Sequence, residues 1–373
     1  MVYYLKLLQR SAASLAPVSP EVARKFRSKL ILLRQQVNRE LSDIPDLERF
    51  IGYNSLESVY ERSRYFAAFL ANVFSYNAFD LMAQNAAWSY QTYSAHGFAY
   101  DYFPLEDRAW MRAIDLHLED RASQAAQAIP RWRLHHHQDL IALSWESPKL
   151  ALHLDPSWDR ERERFLQSLL AGDYQESLHL ADWTVTDALR LKDFYLQVIQ
   201  PAMYQVGNLW QRGEISVAQE HLASIITDRV MATTYPRVDL RKPSKGKMVI
   251  MMAPDEFHEI GARVVADFLA LDGWDVNYLG VKIPLRDLLE FLTNSKPFLV
   301  TVSLAVPCSL FATQELVSAI KNRLELINTR IMVGGQLFQK FPALWEVTGA
   351  DGWAPDAQVA VALARQWWEE KIP

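Results

Sequence analysis

From Lys247 onward, short apolar runs alternate with stretches whose apolar residues recur at helical spacing, and no other feature of the chain narrows its possible folds as much. Residues 247–253 form a strand-length apolar run, and residues 262–271 repeat apolar positions every three or four residues until Gly273 stops them. A second strand is expected over 275–280, a second helix over 285–293 and a third strand over 298–303. Helix 314–326, strand 329–333, the turn Gly334-Gly335, a helix near 341–348, Gly352 in a turn and a last helix from Asp356 complete the pattern. Strands alternating with helices at this pitch predict a parallel, doubly wound sheet with right-handed crossovers.

The first strand-to-helix loop carries Pro254-Asp255-Glu256-Phe257-His258-Glu259-Ile260-Gly261. Open α/β sheets bind ligands at the carboxyl ends of their strands, so this loop is where a ligand would sit. Neutral imidazole is a good nitrogen donor to a transition metal, and a carboxylate two residues away can orient its other nitrogen. Glu256 is that candidate partner. A lone loop histidine is also what an ordinary solvated turn looks like, so the surrounding residues decide between the two.

Those residues fall in an order that resembles the cobalamin-binding module, a helical cap followed by a flavodoxin-like domain, from about residue 165 to 368. Glu256-x-His258-x-x-Gly261 resembles the family's Asp/Glu-x-His-x-x-Gly signature. Ser303 falls where the family has a serine after its third strand, Gly334-Gly335 where it has paired glycines, and residues 349–357 resemble its closing segment. The resemblance implies that His258 replaces the nucleotide base below cobalt, with the displaced base in a groove lined by Ser303, Gly334 and Gly335. Glycines there let a bulky group approach the backbone.

The stretch before the sheet narrows the resemblance. Leu169-Leu170-Ala171-Gly172-Asp173 reads as the start of a helical region, and Trp210-Gln211-Arg212-Gly213-Glu214-Ile215-Ser216-Val217-Ala218-Gln219-Glu220-His221 is similar to the cap of light-sensing cobalamin repressors of carotenoid synthesis. By that likeness Trp210, Glu220 and His221 enclose a 5′-deoxyadenosyl group above the corrin. Gln211 departs from it: those repressors have a histidine there that captures cobalt, and an amide is a poor cobalt ligand, which leaves His221 as the alternative. The residues alone also allow Trp210 as a core aromatic and Glu220 and His221 as helix decoration.

With 373 residues, half of them hydrophobic, the chain can bury two or three cores. The single cysteine, Cys308, excludes a disulfide framework and thiolate clusters, and together with the lack of a signal-like or membrane-length apolar segment it leads to the expectation of a cytoplasmic, non-membrane protein. A net charge of -5 and a pI near 6.0 speak against a nucleic-acid footprint, and residues 1–150 show no recognition-helix unit, so direct DNA binding is not expected.

Residues 1–155 are expected to be an all-α domain with helices over 22–42, 56–84, 86–96, 105–128 and around 136–144, broken at prolines. Residues 156–240 would be the four-helix cap and 241–373 the flavodoxin-like domain, with the first boundary near Pro148 to Trp158. The aromatic density of the first domain fills a helical core on one reading. On another it houses a planar pigment, because a globin-like domain joined to an adenosylcobalamin module resembles photocobilins. Without a cysteine in residues 1–150 a biliverdin there would be held non-covalently, its propionates on arginines such as Arg62, Arg64, Arg108 and Arg112. Residues His135-His136-His137, consecutive on one helix, point apart and cannot share a metal, while His153 and His179 show no partner pattern.

Three functions follow as expectations. The first is a photoreceptor or sensor holding adenosylcobalamin, and its cobalt, base-off on His258, possessing no enzymatic activity and signalling through a cap or homodimer rearrangement to a partner protein. The second is a corrinoid carrier, a component of a methyltransferase. The third is a haem-binding sensor on the same scaffold. Methyl carriers usually have Gly-Asp-x-His-Asp-x-Gly-Lys in this loop, whereas this chain has Glu256 and, where the lysine would be, Ala262, which favours the first.

Overall fold

The computed structural model describes residues 2–144, 154–238 and 242–371, and groups the chain into two compact units: Met1–Leu150 with Asn208–Glu214, and Ala151–Gly207 with Ile215–Pro373. The break expected at Pro148, and His153, lie outside the described residues.

The first unit is all-α. Its helices are α1 (Val2–Ala13), α2 (Pro20–Ser28), α3 (Leu30–Ser42), α4 (Glu48–Ile51), α5 (Leu56–Tyr76), α6 (Asp80–Ala95), α7 (Tyr102–His117), α8 (Asp120–Ala126), α9 (Ala128–His135) and α10 (His137–Ser144). Ser19 and Ser55 cap α2 and α5 with their hydroxyls, and left-handed Asn77 ends α5, so the helix expected over 56–84 stops at Tyr76. The helix expected over 22–42 likewise breaks at Lys29, and that over 105–128 at Leu118 and Glu119. His136 sits at the break between α9 and α10, so the three histidines do not share one helix. Aromatic rings fill the core against one another: Tyr90 stacks on Phe103 with centroids 3.9 Å apart, and Phe66 meets Trp110 edge-on at 5.9 Å.

The second unit begins with a helical bundle: α11 (Asp159–Ala171), α12 (Tyr174–Thr184), α13 (Ala188–Phe194), a π turn at Tyr195–Ile199, α14 (Gln200–Gln211, grouped with the first unit from Asn208 on) and α15 (Val217–Thr234). Residues 169–173 prove to be the end of α11 and the turn into α12, because Gly172 takes φ 71° and Asp173 caps α12. Phe165 and Phe194 meet edge-on in the bundle core at 5.7 Å. Ser216 and Gln219 form a reciprocal capping box that starts α15.

The sheet follows, with β1 (Lys247–Met252), β2 (Asp275–Gly280), β3 (Leu299–Ser303), β4 (Arg330–Gly334) and β5 (Gly352–Ala354), all parallel in the order β2-β1-β3-β4-β5. The interior strands are largely apolar because both faces are covered, by α16 (Glu259–Leu271), α17 (Leu285–Ser295), α18 (Leu310–Lys321), α19 (Gln336–Lys340) and α20 (Ala357–Lys371). Gly352, expected in a turn, opens the short edge strand β5. Three residues paired to Met332, Val333 and Gly334 are too few to leave a periodic signal. The doubly wound, flavodoxin-like order and the all-α N-terminal region agree with the architecture expected from the sequence. Among the described residues no helix is long and apolar enough to cross a membrane.

Bundle and sheet are joined by a polar seam. The Tyr195 hydroxyl donates to Asp267 Oδ2 on α16 at 2.8 Å, and Arg263 Nε lies 3.1 Å from Asp228 on α15. Burial, with Asp228 nearby, pushes the Asp267 carboxyl up to about 6. The folded chain therefore binds this proton more tightly than the unfolded chain. The stabilisation is complete below about pH 4 and is lost as pH rises through about 6. Asp267→Asn keeps an acceptor for Tyr195 and removes the ionisation. Urea unfolding followed across pH should show a flatter slope between those limits and, above pH 6, a gain on the order of 2 kcal/mol over wild type.

Candidate cofactor-binding site

The loop between β1 and α16 is built around one carboxylate. Glu256 is 1 % exposed, and its Oε1 accepts from the backbone N–H groups of Phe257 (2.9 Å) and His258 (3.1 Å). Its Oε2 accepts from the N–H groups of Ala305 (2.7 Å) and Val306 (3.1 Å) in the loop after β3. The same Oε1 lies 2.5 Å from His258 Nδ1. Burial pushes the Glu256 carboxyl up, but the hydrogen bond and charge of His258 and the backbone donors outweigh it and hold the group below its usual range. The return effect raises His258, through the Glu256 hydrogen bond first. Asp255 takes a left-handed φ of 59°, the turn that swings Glu256 inward and His258 outward.

With Nδ1 engaged, Nε2 of His258 has no partner among the described residues, and the side chain is 67 % exposed. Charges on two other elements bear on it, Glu220 of α15 raising its pKa and Lys340 of α19 lowering it. Phe257 beside it stands 54 % exposed, and a Cβ built on Gly261, in the first turn of α16, would meet nothing within 4 Å. A glycine inside a helix costs about 1 kcal/mol relative to alanine, so open space there suits a bulky ligand approaching the backbone. Among the described residues no three His, Cys, Asp or Glu side chains gather into a set that could hold a bare metal ion. One exposed imidazole suits a metal already held in its equatorial plane by a macrocycle.

Ser303 and Gly334 are register partners at the carboxyl ends of β3 and β4, and Gly334 pairs with Ala354. Gly335 has φ 111°, and a Cβ on it would lie 2.2 Å from the Leu304 carbonyl oxygen. Gly335 is thus required by the close approach of two loops whether or not a ligand is bound. Cys308, in the same loop region, has its thiol pushed up to about 11 by burial, which makes it a poor nucleophile.

The other residues singled out in the sequence divide between the units. Glu220 and His221 lie on α15 with the sheet, Glu220 Oε2 2.5 Å from His221 Nδ1 and Oε1 accepting from Ser224 at 3.0 Å. Trp210 and Gln211 group with the N-terminal unit. The Trp210 ring lies 5.2 Å from that of His96, whose Nε2 is 2.9 Å from the Trp210 carbonyl oxygen, and Gln211 bonds Gln91. A Cβ on Gly213 would meet the Ala95 carbonyl, which fixes how tightly this turn sits. Gln91 and His96 carried no motif in the sequence; only their contacts, 120 and 114 residues away, mark them.

A helical bundle followed by a parallel sheet, with an oriented imidazole in the loop after β1, suits a corrinoid, and the comparisons support cobalamin binding. Residues 161–234 and residues 246–362 each match a family described as "B12 binding domain", so the chain carries B12-binding domains over both its bundle and its sheet. A corrinoid protein of Desulfitobacterium hafniense is 23% identical over 204 residues, covering 54% of this chain and 94% of that protein. Dimethylamine corrinoid protein 3 of Methanosarcina acetivorans is 23% identical, over 45% of this chain and 78% of its own length. The HTH-type transcriptional repressor CarH of Myxococcus xanthus is 29% identical over 148 residues, 40% of this chain and 48% of the repressor. Among solved structures the monomethylamine corrinoid protein of Methanosarcina barkeri superposes over 56% of this chain and 99% of its own, with 20% identity and a TM-score of 0.49.

Two glycine substitutions separate packing from ligand approach. Gly335→Ala should destabilise the chain by about 3 kcal/mol or more in thermal or urea unfolding, because its Cβ meets backbone at positive φ. Gly261→Ala should leave the unliganded chain as stable or about 0.5–1 kcal/mol more stable, and weaken corrinoid binding measured by absorption titration.

Proposed function

We propose that this chain is a cobalamin-dependent light sensor that takes up adenosylcobalamin base-off, with His258 Nε2 as the lower axial ligand of cobalt. The observation that carries the reading is the Glu256–His258 pair: a buried, fully engaged carboxylate fixes one nitrogen of an exposed imidazole and leaves the other for a ligand, in a B12-binding domain. Glu256 sets the ring's tautomer and direction, the displaced base would lie by Ser303 and Gly334 at the ends of their strands, and Gly261 would admit the corrin edge. When bound, adenosylcobalamin supplies a weak cobalt–carbon bond that light can break.

The sensing role, in preference to methyl carriage, is supported by the local likeness to the repressor and by Glu256 and Ala262 in the loop. Carriage remains the second reading, because the likeness to corrinoid proteins extends over nearly the whole of one such relative. In the sensor reading Trp210, Glu220 and His221 cover the upper ligand, and the signal passes to a partner protein or a second copy of the chain. For biliverdin or haem in the N-terminal unit the residues fit poorly. Arg62 is closed on Glu106 in the core, Arg64 and Arg112 pair with Glu61 and Glu40 at the surface, and the aromatic residues pack on one another.

His258→Ala should abolish the base-off, His-on absorption spectrum and weaken adenosylcobalamin binding by about tenfold or more. Trp210→Ala should loosen adenosylcobalamin and change its rate of photolysis. Protein loaded in darkness should change its elution volume or cross-linking pattern on green illumination. An unchanged spectrum in His258→Ala would remove the axial ligand assignment, and light-insensitive protein that exchanges methyl groups with a methyltransferase would replace the sensor by the carrier. A biliverdin titration of the full chain should leave the pigment spectrum unshifted.

A further inference from the structure

Between Glu21 and Glu40 the chain runs for eighteen residues with six cations, Arg24, Lys25, Arg27, Lys29, Arg34 and Arg39, and no acid, in a protein whose net charge is -5. These residues lie on α2, on α3 and at the break between them. Lys25 is met by Glu21 at 3.4 Å and by Glu119 at 3.1 Å, and Arg27 bonds the Ser75 hydroxyl. Arg24, Lys29, Arg34 and Arg39 have no ion-pair partner among the described residues, and Arg24, Lys29 and Arg39 are exposed. Two aliphatic side chains stand among them: Ile31 is 67 % exposed and Leu32 43 %. Helical spacing puts Ile31, Gln35 and Arg39 in one row along α3, on the side opposite the buried Leu33, Val37 and Leu41. Leu116 of α7, 65 % exposed, belongs to the same corner. One turn before it Arg112 pairs with Glu40 of α3, and three residues after it Glu119 reaches Lys25 of α2.

One exposed leucine is ordinary, whereas three large aliphatic side chains on one corner, set among unpaired cations, suit a partner that is apolar beneath a layer of negative charge. We propose that the α2–α3 corner docks on an anionic phospholipid surface, with Ile31, Leu32 and Leu116 entering the headgroup layer and Arg24, Lys29, Arg34 and Arg39 lying against its phosphates and carboxylates. Charge complementarity selects this partner over the others. A second copy meeting the corner with its own would bring like charges together. A nucleic acid would match the cations but leave the aliphatic side chains without a role, since no exposed residue of α2 or α3 is aromatic and none offers a base a stacking platform. The contact is peripheral: Ala23 and Phe26 of α2 and Leu33 and Val37 of α3 are buried, so both helices stay seated in the unit while their outer faces meet the lipid.

The test is flotation of the full-length chain with vesicles of phosphatidylcholine alone and with vesicles containing about one third phosphatidylserine. The chain should float with the anionic vesicles and not with the neutral ones, and roughly 0.5 M salt should release it. Lys29→Gln with Arg39→Gln should weaken binding about tenfold or more, because each cation near an anionic surface contributes separately. Ile31→Ser with Leu32→Ser keeps every charge and should also weaken it about tenfold. All four side chains are exposed, so both double variants should keep the wild-type melting temperature. A wild-type chain that shows no preference for the anionic vesicles overturns the proposal. Vesicle binding that Ile31→Ser with Leu32→Ser leaves unchanged does the same: it reduces the corner to a general polyanion site, or, where that variant instead alters the elution volume, to a contact between copies of the chain.

Discussion

The candidate site depends on one buried carboxylate. Glu256 accepts hydrogen bonds from the two residues that follow it and from two backbone N–H groups about fifty residues downstream, and it also fixes the ring of His258. A carboxylate so placed stays ionised despite its burial, because the donors converging on it replace the water it has lost. It does two things at once: it clamps the β1 loop to the β3 loop, and it leaves a single nitrogen of an exposed imidazole without a partner among the described residues. Loop geometry and ligand geometry are therefore the same constraint.

The rest of the second unit supports that clamp. Parallel pairing of β1 with β3, and of β3 with β4, brings Met252, Ser303 and Gly334 into adjacent register, so the loops that follow these strands emerge side by side. Gly335 then allows the β4 loop to press on Leu304 where any side chain would collide with backbone. The Tyr195–Asp267 and Arg263–Asp228 contacts bring the helical bundle, and with it Glu220, to the same side of the sheet as His258. The N-terminal unit has a different character. Its aromatic core encloses a charged cluster in which donors of Arg62 and Arg133 and acceptors of Glu106 and Asp107 lack hydrogen-bond partners among the described residues.

Much of this was legible before any coordinates. The three interior strands are apolar over most of their length and stood out as runs, the edge strand β2 was expected beside them, and Gly273 marked the end of the first crossover helix, whereas the turn at Gly172 and the cap at Ser216 were not read. The elements that escaped are those whose signal is weak for a physical reason. β5 is three residues long, α19 is five, and the breaks at Lys29 and Tyr76 depend on backbone geometry at single positions where helical periodicity continues on both sides.

The sequence by itself determined the alternation of strands and helices, the position of an imidazole at the end of the first strand and the carboxylate two residues before it, because these are local and periodic. The tertiary structure decided what each of them touches. Only folding brings Ala305 and Val306 to Glu256, sets Trp210 and Gln211 against His96 and Gln91, and buries Arg62, Glu106, Asp107 and Arg133 together. Contacts between residues so far apart in the chain are set by packing as a whole, which no spacing along a single chain records.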